Sequence, residues 1–429
     1  VPGRILVDLR PLRESREFRL LFVGQVVSTF GAILTVVAIP YQLFHQTHST
    51  FQVGAISLVQ LGPLIAGSLV GGSVADAVDR RRLLVWATVA LLVCSGLLAV
   101  NAVAARPSLL VLYLVSALGA GLTGFASTAR NAVVPVLVRT AALAGGFALI
   151  QIIFQVGNVA GPALAGPIIG VLGLPWAYGI DAVTYLAALV SLFLMRPIPP
   201  EPGHRPVRGS FREGRSYLRG RPVIQGIYLI DINAMVFGMP RAVFPALSTR
   251  FATGLSSATV LGFLYAALGV GGLLGALTTG WVGAVRRQGW AITLAVVAWG
   301  AAITLFGFST VLWLSLTLLV LASWADVISA VLRNTMLQTS IPPRFRGRMT
   351  AIQMAVVQGG PRLGDMETGV ATALVGLEPA VVSGGLLCIL GAGVLSALLP
   401  AFRRQRVGDP VHDPDGPVHD PDGPAEGAG

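Results

Sequence analysis

The chain has 429 residues, is 54% hydrophobic and 11% charged, and has a mean hydropathy of +0.76. Soluble domains carry about 25% charged residues, so a mostly water-facing surface is excluded, and the length holds about twelve helices at ~20 apolar residues per span. The net charge of +11 rests entirely on arginine, since the sequence contains no lysine; the arginines cluster between apolar runs, which fits topogenic charge rather than nucleic-acid binding.

Residues 1–18 form an arginine-rich N-terminus that leads straight into a full-length span, so no cleaved leader is expected. The chain opens on Val1, so a non-ATG start or an upstream start is expected. Apolar runs follow at 19–44, 51–76, 82–105, 107–131, 141–172 and 176–196, which make a first six-helix half over 19–196. A linker rich in Pro, Gly and Arg covers 197–221. The second half, 222–402, has runs at 222–249, 257–284, 289–309, 311–333, 348–376 and 379–402. Residues 403–429 end in two copies of Val-His-Asp-Pro-Asp-Gly-Pro, from Val411 and Val418, and are expected to be disordered.

The arginines alternate with the spans. All but Arg106, Arg241, Arg250 and Arg362 fall at one end of the predicted bundle, Arg130 and Arg333 being counted among the anchors there. That bias places both termini in the cytoplasm. The expected architecture is an all-α integral membrane protein of twelve transmembrane helices.

The two halves look duplicated. Arg130-Asn131 matches Arg333-Asn334, Ile150–Gly157 matches Ile352–Gly359, Ile39-Pro40 matches Phe244-Pro245, and Arg80-Arg81 matches Arg286-Arg287, all in chain order at nearly one offset. Two pseudo-symmetric six-helix halves are the architecture of many transporters.

Two stretches point to moving parts. Gly72, Asp76, Arg80 and Arg81 form a glycine-lined helix end, a turn and a basic pair between spans 2 and 3, suited to hold one rocking state and release in another. Gly157, Gly161 and Pro162 in span 5 imply a bent, closely packed helix.

Intramembrane charges are functional candidates because each costs several kcal/mol unless paired or wet. They are Asp231 and Arg241 in span 7, Asp326 in span 10, and Arg362, Asp365 and Glu367 in span 11, with Asp181 near the outer end of span 6. Arg362 and Asp365 lie three apart and could pair on one helix face. Asp231 and Asp365 fall near mid-membrane, where a desolvated carboxylate can exchange protons at physiological pH. Gln155 and Asn158 are uncharged cavity candidates, with Gln25, Gln60, Asn233, Gln353 and Gln358.

Nothing points to an enzyme. All five histidines fall in predicted loops or the tail, and a phosphate loop would need a lysine. Cys94 and Cys388 read as small buried hydrophobes, so no metal site is expected.

The run Gly72-x-x-x-Asp76-x-x-x-Arg80-Arg81 resembles the loop signature of the major facilitator superfamily, with Ala77 where the family has a basic residue and Asp79 where it has a second glycine. Gly157–Pro167 resembles the span-5 signature of exporters in that superfamily. Thr47–Gly54, Arg241–Leu247, Gly262–Ala267, Thr335–Thr339, Gly347-Arg348 and Gly364-Asp365 resemble stretches of the bacterial enterobactin-exporter family. The resemblance implies a bacterial inner-membrane exporter of a siderophore or other small organic molecule, driven by the proton motive force without a cofactor. Its expected partners are that substrate and the lipid bilayer, with no nucleic acid, and the expected state is a monomer. A multidrug or macrolide efflux pump, and a membrane scaffold that has lost transport, remain alternatives.

Overall fold

A computed structural model describes residues 8–75, 78–199, 218, 220–341 and 343–406. Where water is absent the backbone must satisfy its own hydrogen bonds, and helices do this within one segment. The N-terminal half comprises α1 (Arg10–Glu14), α2 (Arg16–Thr47), α3 (Thr50–Ala75), α4 (Arg80–Val103), α5 (Leu109–Leu137), α6 (Leu143–Leu172) and α7 (Leu174–Phe193). The C-terminal half comprises α8 (Pro222–Phe237), α9 (Phe244–Arg250), α10 (Ser257–Thr278), α11 (Gln288–Phe308), α12 (Leu312–Ser340), α13 (Pro343–Val375), α14 (Leu377–Leu398) and α15 (Pro400–Arg404).

Side-chain caps set several starts. Ser15, Asp79, Ser108 and Ser256 accept from the backbone N–H of Phe18, Arg82, Val111 and Thr259. Among the described residues, 11 helical segments are long and apolar enough to cross a membrane. The remaining long helix, α13, has 33 residues and packs inside the bundle, but Arg362, Asp365 and Glu367 lower its hydropathy.

The halves repeat each other's packing. In the first, α2 packs on α6 and α7, α4 on α5 and α7, and α3 on α5. In the second, α8 packs on α13 and α14, α11 on α12 and α14, and α10 on α12. Each half also turns into its last span at a glycine with positive φ, Gly173 at 92° and Gly376 at 91°, a conformation that costs glycine little.

Two seams join the halves, α3 against α13 and α6 against α10. They close at the arginine-poor end. A β-carbon on Gly166 would lie 2.6 Å from the Ala258 carbonyl oxygen, and one on Gly369 would lie 2.9 Å from that of Thr50. Toward the arginine-rich end the close contacts turn inward, with Gly67 and Gly71 of α3 against α5, and Gly271 and Gly275 of α10 against α12. Leu69, Val70 and Met354 are exposed in this part of the seam helices. The halves therefore meet at one end and part toward the other.

Two predicted span ends move. Span 4 continues past residue 131 to Leu137, and span 10 continues past residue 333 to Ser340. Arg130 and Arg333 therefore lie inside helices rather than at their ends. The linker, apart from its first and last residues, and the repeat tail lie outside the described residues, as does Asp76.

Candidate functional site

The site grows from a break in span 7. Proline lacks the N–H a helix needs and its ring clashes with the preceding turn, so the run Phe237-Gly238-Met239-Pro240 stops α8. A short 3-10 turn, Arg241–Val243, follows, and Pro245 in the first turn of α9 restarts the helix. The matched Pro40 leaves α2 continuous. The break brings Arg241 toward α13, where a guanidinium nitrogen lies 3.2 Å from Asp365 Oδ2.

This pair lines a cavity of about 180 Å³ between the halves. Val36, Ile39 and Pro40 of α2 and Val53, Ile56, Ser57 and Gln60 of α3 form one wall. Arg241, Ala242, Tyr265, Arg362 and Asp365 form the other. The expected pairing of Arg362 with Asp365 is not what forms. Arg362 donates to the carbonyl of Gln358 on its own helix at 3.3 Å, while Asp365 takes Arg241 from across the break. Two guanidinium groups thus face one carboxylate, which makes the cavity cationic on one wall and mostly apolar on the other, with Ser57 and Gln60 as its polar groups.

The other predicted charges are elsewhere. Asp231 is fully buried and lies 2.8 Å from Arg333 of α12, which is also 3.7 Å from Asp326. Arg333 donates to Ser329 Oγ at 2.7 Å, and the Gln353 amide donates to Asp231 at 3.3 Å. This network joins α8, α12 and α13 beside the cavity; Asp326 and Arg241 both line a smaller pocket under Trp299. Arg333 is the residue the sequence hid. Its position at the arginine-rich end read as anchoring, yet a cation matched between halves so close to intramembrane acids was a signal for a partner.

Glu367 is half-buried, accepts from Thr368 Oγ1 at 3.3 Å and does not line the cavity. Gln155 is half-buried and Asn158 exposed on α6, and neither lines it. Gly157 and Gly161 press on Ile33 of α2, and the Pro162 carbonyl meets Gly262 of α10 across the seam. A β-carbon on Gly72 would lie 3.4 Å from the Thr128 methyl. At the turn between α3 and α4, Arg81 donates to the carbonyls of Leu192 and Phe193, both at 2.8 Å, placing its charge at the negative end of α7. The Arg80 backbone N–H donates to Ile198 at 3.0 Å, and its side chain is buried.

In the first half Asp181 is 1% exposed and accepts from Thr35 Oγ1 at 2.6 Å and Ser95 Oγ at 2.7 Å. Hydroxyl groups, not a cation, hold it.

The family model described as "transmembrane secretion effector", within the major facilitator superfamily, matches residues 7–416. The chain is 30% identical to Enterobactin exporter EntS of Escherichia coli O157:H7 (strain EC4115 / EHEC) over 414 residues, covering 96% of this chain and 99% of the relative. It is 32% identical to Enterobactin exporter EntS of Salmonella paratyphi A over 411 residues, covering 95% and 98%. Among solved structures, a bacterial homologue of the human lysosomal transporter Spinster, inward-facing and unoccupied, superposes with a TM-score of 0.70 at 15% identity, covering 90% of this chain and 98% of that one. A bacterial homologue of the iron transporter ferroportin, inward-facing, gives 0.67 at 15% identity, covering 91% and 99%.

Proposed function

This chain belongs to the transmembrane secretion effector family of the major facilitator superfamily, and we propose that it exports an anionic small molecule of the catecholate siderophore class by alternating access. The observation that carries this reading is the surplus of guanidinium in the central cavity, with Arg241 and Arg362 against Asp365. Fork-shaped donors suit paired, negatively charged oxygens, and the apolar wall of Val36, Ile39 and Ile56 suits aromatic rings. The resemblance to enterobactin exporters supports the same class.

The arginine bias puts both termini in the cytoplasm of a bacterial inner-membrane protein. On that orientation the halves part toward the cytoplasm, the state in which an exporter loads. The cavity of about 180 Å³ is then the apex of the cleft, and a siderophore extends from it toward the open end. Asp365 is the leading candidate for proton exchange because it pairs with Arg241 at the cavity wall, where protonation would release the arginine. Asp231 and Asp326 share Arg333 as a second candidate set. The proton motive force drives the cycle without a cofactor, in a monomer. Gly72, Asp76, Arg80 and Arg81 steady the cytoplasmic turn, and Gly157, Gly161 and Pro162 let α6 rock on α2 and α10.

A deletion strain grown under low iron tests the reading. Siderophore accumulating inside the cells, restored to normal by the wild-type gene, is the expected result. Unchanged siderophore with new drug sensitivity would move the assignment to drug efflux.

A further inference from the structure

The N-terminal half contains a second, smaller pocket of about 40 Å³, lined by α2, α4, α5 and α7. Its polar lining is Gln25, Ser28, Thr88, Arg130, Tyr185 and Ser191. Four of these are already engaged. Thr88, Ser191 and Ser28 donate to the carbonyls of Leu84, Ala187 and Gln25, and the Gln25 amide donates to Thr29. Arg130 and the Tyr185 hydroxyl remain, with no hydrogen-bond or ion-pair partner among the described residues.

Arginine cannot shed its charge by deprotonation, and a cation within the span is costly unless it is paired or wet. The four lining helices contain two acids, Glu17 and Asp181. Glu17 accepts from the Arg196 backbone and from Arg16, and Asp181 is held by Thr35 and Ser95. The matched arginine of the other half, Arg333, is neutralised by Asp231 and Asp326. The two halves thus place matched arginines within their helices, Arg333 buried and Arg130 part-buried, and among the described residues only Arg333 has acidic partners.

We propose that the Arg130 pocket binds one small inorganic anion of chloride size, which supplies the missing counter-charge to the N-terminal half. A space of about 40 Å³ has room for a group of water size, which suits a compact ion such as a halide. Arg130 provides the charge and Tyr185 a neutral donor. This is independent of what the central cavity transports.

The test uses the purified full-length protein in detergent. Its thermal midpoint is measured while sodium gluconate is replaced by sodium chloride or bromide at constant ionic strength. A rise of about 2 °C is expected as the halide saturates the site, with one halide bound per chain by radiolabel. Arg130→Gln should remove both effects. Gln25→Glu, which builds a carboxylate into the same pocket, should keep the wild-type chloride midpoint in gluconate and no longer respond to halide. A midpoint indifferent to the anion, or a halide response that survives Arg130→Gln, overturns the proposal. So does stabilisation by a catecholate siderophore alone that Arg130→Gln abolishes, since the pocket would then be a substrate subsite.

Discussion

In the N-terminal half a buried carboxylate, Asp181, is held by the hydroxyls of Thr35 and Ser95, whereas in the C-terminal half Asp231 and Asp326 share Arg333 and Asp365 takes Arg241. The helix pairings that surround these groups are the same in both halves. Duplication copied the scaffold, and the ion-pair chemistry diverged on it. The break in span 7 is part of that divergence: Pro40 only interrupts hydrogen bonding within α2, but Gly238 and Pro240 end α8 and expose Arg241 to the cavity. The C-terminal half thus carries these ion pairs, and the N-terminal half supplies a mostly apolar wall.

The largest expected effect tests that asymmetry directly. Arg333→Met strands the buried Asp231 and the part-buried Asp326 and should destabilise the protein by about 3–5 kcal/mol, read as a fall in thermal midpoint. Arg130→Met, at the matched position, leaves no ion pair broken and should cost far less. Equal losses would mean the halves handle charge alike. Converting Asp231, Asp326 and Arg333 together to Asn, Asn and Met should recover most of the stability, because removing a whole buried network is often neutral.

Next in size is Asp365→Asn, which releases Arg241 without changing shape. Loss of one charge-assisted contact worth ~1.4 kcal/mol in the rate-limiting state lowers export about tenfold, measured as siderophore efflux from loaded cells. Thermal stability should change little. A tenfold loss from Asp181→Asn as well would undo the division of labour between the halves. Asp181→Asn is expected instead to cost about 1 kcal/mol of stability, the value of an ordinary hydrogen bond, with efflux retained. The smallest effect belongs to Arg81→Gln. Its contact with the end of α7 is worth about 0.3–1 kcal/mol, and it should appear as easier proteolysis between α3 and α4.

Much of the fold was legible in the sequence because membrane helices announce themselves through hydropathy and arginine placement. The span carrying Arg362, Asp365 and Glu367 was found by its length and position despite its low hydropathy. Pairings were harder to read. Spacing along one helix suggested Arg362 for Asp365, but the true partner, Arg241, lies 124 residues away and reaches it only because α8 stops at Gly238. Arg333 was misread for a related reason: charge near a helix end signals anchoring, and only the continuation of α12 to Ser340 puts it inside the bundle. Gln155 and Asn158 do not line the cavity, since a polar residue in a span marks no direction by itself.

The most direct test of the central claim is siderophore flux in proteoliposomes under an imposed pH gradient, comparing wild type with Arg241→Gln and Arg362→Gln. Gradient-driven transport of a catecholate siderophore by the wild type, lost in both variants while a neutral dye is handled alike, is the predicted result. Undiminished siderophore flux in the two variants would contradict it.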